Sequence, residues 1–203
     1  MTSKAEQKQH TNETILTSAA RLLREKGISG ARVADVMKGA GLTVGGFYAH
    51  FASKEALIDT TIRRTAREML EGLFARLDTK PAADRAEIIL KRYLSAAHRD
   101  NLVAGCPLPA VVGEIATTSP EHAEMLGSEL DNFAAQLEPY LPTHATMPHR
   151  QVALATLALM YGGLALARAV RGTELSDEII RACRAFGRRI ARDDNDAPGP
   201  GVS

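Results

Sequence analysis

The chain has 203 residues, enough for one large domain or two small ones and for a sizeable core. Its two cysteines exclude a disulfide-stapled scaffold and a cysteine-rich zinc module, and 16 Gly with 9 Pro are too few for a low-complexity chain. Aromatics at 4% with no Trp, and few segments of period two, argue against a β-sandwich. The net charge of +1 announces no anionic partner, but the charge is uneven. Over residues 1–67 Lys and Arg outnumber the acids 11 to 6; over 68–203 the acids lead 18 to 14. A basic N-terminal part suits a segment that meets an anion, although a solvated face reads the same way.

Helical periodicity then runs through the chain. Polar residues 1–10 predict an unstructured tail. Ile15, Ala19, Leu22 and Leu23 make one face of a first helix that ends near Gly27. Val33, Val36 and Met37 form a second short stripe, stopped by Gly39 and Gly41. A third short segment starts at Thr43 and carries Phe47 and Phe51. Ser53 caps a long helix with apolar residues out to position 77. Pro81 opens a helix whose stripe runs from Ala86 through Tyr93 and Leu94 to Ala97. A break over 101–109 precedes a short helix at 110–116. Ser119-Pro120-Glu121 starts a helix to about Glu138, Pro148 opens another to Gly172, and Ser176-Asp177-Glu178 caps the last, to about Arg192. The expectation is an all-α fold of about nine helices, with 193–203 as a polar, disordered tail.

The informative stretch is Gly27 to Leu57. Two short helices are joined by the tight turn Gly39-Ala40-Gly41-Leu42, the helix-turn-helix pattern in which the second helix enters the major groove. Thr43 offers a hydroxyl and free N–H groups at a helix start, suited to a phosphate. Gly45 and Gly46 each cost a helix roughly 1 kcal/mol against Ala, and close approach to DNA would be the return. Tyr48 and His50 are polar-tipped aromatics within reach of phosphates. Lys54 stands in the first turn of a helix, the wrong end for a cation unless an anion faces it.

With Gly27, Val33, Asp35, Val36, Ala40-Gly41-Leu42-Thr43, Gly45, Phe47-Tyr48, Phe51 and Ser53-Lys54-Glu55-Ala56-Leu57 in ungapped register, this segment resembles the DNA-binding domain of the TetR/AcrR family of bacterial regulators. The resemblance covers about the first quarter of the chain. It implies a helix-turn-helix domain over 1–58 and a helical effector-binding and dimerisation domain over 59–192. It also implies a homodimer on a palindromic double-stranded DNA operator, acting as a repressor that a small molecule releases. The DNA-facing positions it implies are Thr43, Val44, Gly45, Gly46, Tyr48, His50 and Lys54, with Arg32 a further candidate. The family often carries Thr or Ser at the positions of Ala31 and Arg32, so Arg32 stands in for a phosphate contact. It commonly carries a polar residue where Val44 stands, and Val44 fits a thymine methyl instead.

The remaining chain carries no motif of that specificity. Residues 149–172 are apolar almost all round and rich in small side chains, and with 176–192 they make the expected dimer surface, or else simply the monomer core. The apolar run 152–167 is 16 residues, short of the roughly 18 that span a bilayer, so no membrane is expected and the chain reads as cytoplasmic. Leu73, Tyr93, Leu102, Cys106, Leu108, Val111, Phe133, Leu137, Met160 and Tyr161 are candidates for the family's effector site, each also readable as ordinary core; they suit an apolar or aromatic ligand. Cys106, in Gly105-Cys106-Pro107-Leu108 before a short helix, is a candidate redox sensor, against the simpler reading of a buried thiol. The scattered histidines suggest no metal site, and no cofactor is implied. The alternatives are a DNA-binding dimer without an effector, or a small helical enzyme using Cys106 as nucleophile. That enzyme lacks a visible base and orienting partner, so no catalysis is expected.

Overall fold

The computed structural model describes residues 3–101, 105–144 and 146–191. Among them are nine α-helices and no strand beyond one isolated bridge, His144 to Met147, so the all-α expectation holds. The helices are α1 (Lys4–Gly30), α2 (Val33–Gly39), α3 (Lys54–Phe74), α4 (Ala82–Tyr93), α5 (Ala96–Asp100), α6 (Leu108–Thr117), α7 (Ala123–Leu137), α8 (His149–Ala169) and α9 (Glu174–Ile190). Short 3-10 helices stand at Val44–Ala49, Pro120–His122 and Glu138–Tyr140. The segments pack as two compact units. The first takes residues up to 70 together with 101–129; the second takes 71–100 together with 130 onward.

In the first unit, α1 supplies the floor. Ile15, Ala19, Leu22 and Leu23 are buried, as their spacing predicts. The helix starts at Lys4, however, where the polar composition suggests an unstructured tail over 1–10. The reason is local: Ser3 Oγ accepts from Glu6 N (3.2 Å) while Glu6 Oε2 accepts from Ser3 N (2.6 Å), a reciprocal cap at the head of good helix-forming residues. At the other end Gly27 has φ +70°, which breaks α1 where the sequence places its end, and a last turn continues to Gly30.

In the second unit, α8 and α9 pack along one another and α4 rests on both. The α8 core residues Val152, Ala153, Thr156, Leu157, Met160, Gly163, Leu164 and Ala167 are buried. Taken whole, α8 is long and apolar enough to cross a membrane (mean hydropathy 1.6), although the apolar run within it falls short. Its inward side is packed on α4, α5 and α9, as in the core helix of a helical bundle.

Three helix boundaries differ from the periodicity. Leu94 leaves helical geometry (φ −87°, ψ 70°), so α4 stops there; Ser95 Oγ accepts from His98 N at 3.1 Å and starts α5 separately, leaving Ala97 exposed rather than on the α4 stripe. Ser119 leads into a 3-10 turn before α7 begins at Ala123. Ser176 is not the cap of α9. The helix begins at Glu174 after Thr173, and Ser176 is buried, donating to Ala167 O (2.7 Å) and accepting from Arg99 Nη1 (2.9 Å). Arg99 also reaches Asp177 and Asp100, so a buried guanidinium ties α5 to the head of α9.

Candidate nucleic-acid interface

The turn after α2 closes by backbone bonds alone. Leu42 N donates to Met37 O at 2.9 Å and Gly41 N to Lys38 O at 3.0 Å, around Gly41 at φ +72°. This is the helix stop that needs a left-handed residue after the cap, and it explains the glycine. The chain then re-enters helical geometry at once, as a 3-10 turn over Val44–Ala49 rather than an α-helix. Two consecutive glycines lower helix propensity enough to favour the short form.

Phe47 anchors this segment. It is 1% exposed, stacks on Phe51 at 5.9 Å and meets Tyr48 edge-on at 5.2 Å. With Phe47 turned inward, the rest of the segment faces out. Val44 is 50% exposed and Tyr48 76%. Thr43 is exposed and makes no capping bond with its side chain. A side chain at Gly45 would meet nothing within 4 Å, and at Gly46 only the Met37 Cε at 4.0 Å. Neither glycine has a positive φ. Nothing in this protein's own packing or backbone therefore demands glycine at 45 or 46.

Arg32 is exposed at the cap of α2 and makes no capping bond. His50 is half-buried, and its Nδ1 is bound to Asn12 Oδ1, so one ring nitrogen is held by α1 rather than open to a partner. Lys54 opens α3 beside the Ser53 cap, whose Oγ accepts from Ala56 N at 3.1 Å. Its charge acts on Glu55 and Glu114, so two carboxylates of the chain already lie in its field. Eight positions named from the sequence thus lie within or beside the α2–α3 connection. Five of them (Arg32, Thr43, Val44, Gly45 and Tyr48) are exposed, and three (Gly46, His50 and Lys54) are half-buried.

The segment is braced from behind by residues the sequence reading does not single out. Glu114 on α6 grips the end of α1: its carboxylate accepts from Ile28 N (2.8 Å), from Ser29 N (2.9 Å) and from the Ser29 hydroxyl. Burial opposes its ionisation, but the bonds from Ser29 and Ile28 outweigh it and the charge of Lys54 adds to them, holding the carboxyl below its usual range. A Cβ on Gly27 would lie 1.7 Å from Glu114 Oε1, so this glycine serves both a left-handed φ and a close approach. Arg24 Nε donates to Gly105 O at 2.8 Å, and buried His122 binds Asp59 on α3 through Nδ1 at 2.6 Å. These contacts span 63 to 86 residues, and no local pattern encodes them.

The effector candidates divide between the units. Cys106, Leu108 and Val111 are buried in the first; Leu73, Tyr93, Phe133, Leu137 and Met160 are buried in the second, with Tyr161 half-buried. Leu102 lies outside the described residues. Tyr93 and Phe133 lie 6.2 Å apart, and the second unit adds Phe74, His98 and Tyr140 to that aromatic group. Two open grooves, of about 750 Å³ beside α1 and α3 and about 400 Å³ beside α8 and α9, are lined by other residues. Burial of His98 pushes its imidazole below its ordinary value. Cys183, the other thiol, is half-buried and pushed up by the same cause.

Residues 15–61 match the family model of bacterial regulatory proteins, tetR family. An uncharacterised helix-turn-helix transcriptional regulator from the lacX 3′ region of Lactococcus lactis is 27% identical over 77% of this chain and 83% of its own. The helix-turn-helix transcriptional repressor KstR2 of Mycobacterium tuberculosis is 40% identical over 62 residues, 30% of this chain and 29% of that one. Among solved structures, a TetR transcriptional regulator from Chloroflexus aurantiacus superposes with a TM-score of 0.74 at 26% identity, over 90% of this chain and 94% of the other. The sequence match and the likeness of fold agree: residues 15–61 carry the DNA-binding motif of the tetR family of bacterial regulatory proteins, and nine-tenths of the chain shares the fold of a TetR transcriptional regulator.

Proposed function

We propose that the protein is a homodimeric repressor that reads a palindromic DNA operator through the segment 43–50 and is released by a small apolar or aromatic effector. The observation that carries the DNA reading is the pair Gly45-Gly46, whose glycines answer no need of the folded chain while their neighbours are exposed. A partner whose surface approaches the backbone supplies that need. Val44 and Tyr48 are the large exposed side chains of the segment, Val44 placed for a thymine methyl and Tyr48 for phosphate, with Arg32 and Lys54 adding charge at the flanks.

The dimer reading rests on a second surface. Leu154, Leu166, Leu175 and Phe186 are exposed on α8 and α9, Phe186 at 58%, and small residues such as Ala158 and Gly162 stand between Leu154 and Leu166 in the sequence of α8. Apolar side chains clustered on one helix pair mark a surface that another molecule covers, and a two-fold copy is what a palindrome requires. The effector class rests on the apolar and aromatic side chains of the second unit named above, Tyr93, Phe133, Leu137 and Met160 among them. The protein acts in the cytoplasm, where its operator lies.

The test is a titration of the full chain on its own upstream intergenic DNA and on a scrambled duplex, at two salt concentrations. Tight, salt-dependent preference for the native DNA is expected. Tyr48→Phe and Lys54→Ala should weaken binding to both duplexes, and Val44→Ala should change sequence preference more than affinity. Unchanged affinity in the Tyr48 and Lys54 variants would remove the interface. Thermal shift against a panel of apolar and aromatic compounds tests the effector, since a ligand of the folded state raises the melting temperature.

A further inference from the structure

The first two turns of α1 bury nothing. Every residue from Ser3 to His10 is exposed, yet the segment is helical and closed at its head by the Ser3–Glu6 cap. A short polar helix without a packed face gains little from propensity alone. Its sequence is nonetheless patterned. Positions 4, 8, 11, 15, 19 and 22 fall within about 80° of one another around the helix at 100° per residue. From 15 onward this stripe is Ile15, Ala19 and Leu22, all buried. Before 11 it is Lys4 and Lys8. The inward face of α1 thus changes from apolar to basic where the helix outruns the core.

The side it faces is fixed by the next contact along. Asn12, one turn after Lys8, binds His50 at the end of the 43–50 segment. Lys8 and Lys4 therefore lie about 6 Å and 12 Å beyond that contact along α1, on the side that His50 occupies. Glu6 is about 160° away from both lysines around the helix and is engaged by Ser3 N. Among the described residues neither lysine has an ion-pair partner, whereas Arg21, Arg63 and Arg64 in the same unit all do.

We propose that the extension Ser3 to His10 is a second DNA contact, in which the Lys4 and Lys8 ammonium groups neutralise backbone phosphates flanking the base pairs read by residues 43–50. The inference rests on the DNA reading above and extends it: the segment at 43–50 carries sequence preference, and the extension supplies charge without preference. The cap fixes the helix so that both lysines are held in line with Asn12 rather than on a loose tail.

The test compares the full chain with Lys4→Gln/Lys8→Gln and Lys4→Arg/Lys8→Arg variants. Each is titrated on the native upstream DNA and on a scrambled duplex over a series of salt concentrations, with Lys54→Ala alongside. Two lost phosphate contacts per protomer should lower the slope of log affinity against log salt by about 1.8 per protomer. Both duplexes should lose affinity by the same factor, severalfold, and the Arg pair should keep it. Unchanged slope and affinity in the Gln pair, with Lys54→Ala weakened, would overturn the extension's role and leave the 43–50 interface standing. A loss confined to the native duplex would overturn the phosphate assignment, because a base contact would then be at work. If the unaltered protein binds neither duplex at any salt, both this inference and the DNA reading fall. Both positions are exposed, and equal helicity and melting temperature across the variants check that the fold is unchanged.

Discussion

The two units show opposite kinds of unexplained surface. In the first, the segment 43–50 exposes glycines, a threonine and a tyrosine around a single buried anchor, Phe47. In the second, α8 and α9 expose Leu154, Leu166, Leu175 and Phe186 over a core that is already full. One surface gives up its own helix stability to stay thin and polar; the other leaves apolar area uncovered. The difference teaches what each is shaped for. A thin polar surface admits a hydrated, charged groove, and an apolar face wants a dry partner of similar kind.

The sharpest way to break that comparison is to charge the apolar face. Leu166→Glu/Phe186→Glu should give a monomer by sedimentation, and affinity for the native DNA should fall on the order of 10²-fold or more as the two linked half-sites separate. A variant that remains dimeric would show that the exposed apolar residues lie outside the interface.

Next in size is the brace behind the reading segment. Glu114→Ala leaves the Ile28 and Ser29 N–H groups without their acceptor, and should cost about 1–3 kcal/mol in urea unfolding. The folded carboxyl titrates below its ordinary range, so this stabilisation is present at neutral pH, begins to fade as pH falls below the unfolded value, about 4.5, and is lost through the folded one. The gap between parent and variant should therefore close on acidification; a gap independent of pH would point away from the charge.

Gly45→Ala and Gly46→Ala sharpen the comparison from the other side. Each should leave stability unchanged or raise it by up to about 1 kcal/mol, because a Cβ meets nearly empty space. DNA affinity should drop in the same proteins. Loss of stability would mean that the glycines serve the fold after all.

The smallest effect belongs to the second unit. Burial holds His98 neutral, below its ordinary value of 6.5, so the unfolded chain takes up that proton first. Stability from this group is present above about pH 6.5 and falls as pH drops through and below it. Melting temperatures between about pH 7.5 and 5.5 should decline less steeply in His98→Gln than in the parent.

Local physics made much of this protein readable. Stripes such as Ile15, Ala19 and Leu22 identify a buried helix face without knowledge of what lies beneath it. Gly27 and Gly41 mark helix ends because only glycine adopts a positive φ cheaply, and both do so here. Phe47 and Phe51, four residues apart, fall on one helical face, and both are buried. Capping was read less well. Ser3 and Ser95 start helices that composition and periodicity pass over, while Ser176 looks like a cap and is instead buried under Arg99. A serine beside acidic residues has the same local sequence in either role, and the neighbour that decides between them is 77 residues away.

The sequence by itself determined most of the helices, the stops at Gly27 and Gly41 and the helix-turn-helix motif, because propensity, periodicity and turn chemistry act within a few residues. Tertiary structure alone decided that Glu114 holds the end of α1, that His122 meets Asp59, and that 101–129 packs with the N-terminal helices rather than with the rest of the chain. Those are pairings between distant segments, and their energy comes from hydrogen bonds and burial that exist only once both partners are in place.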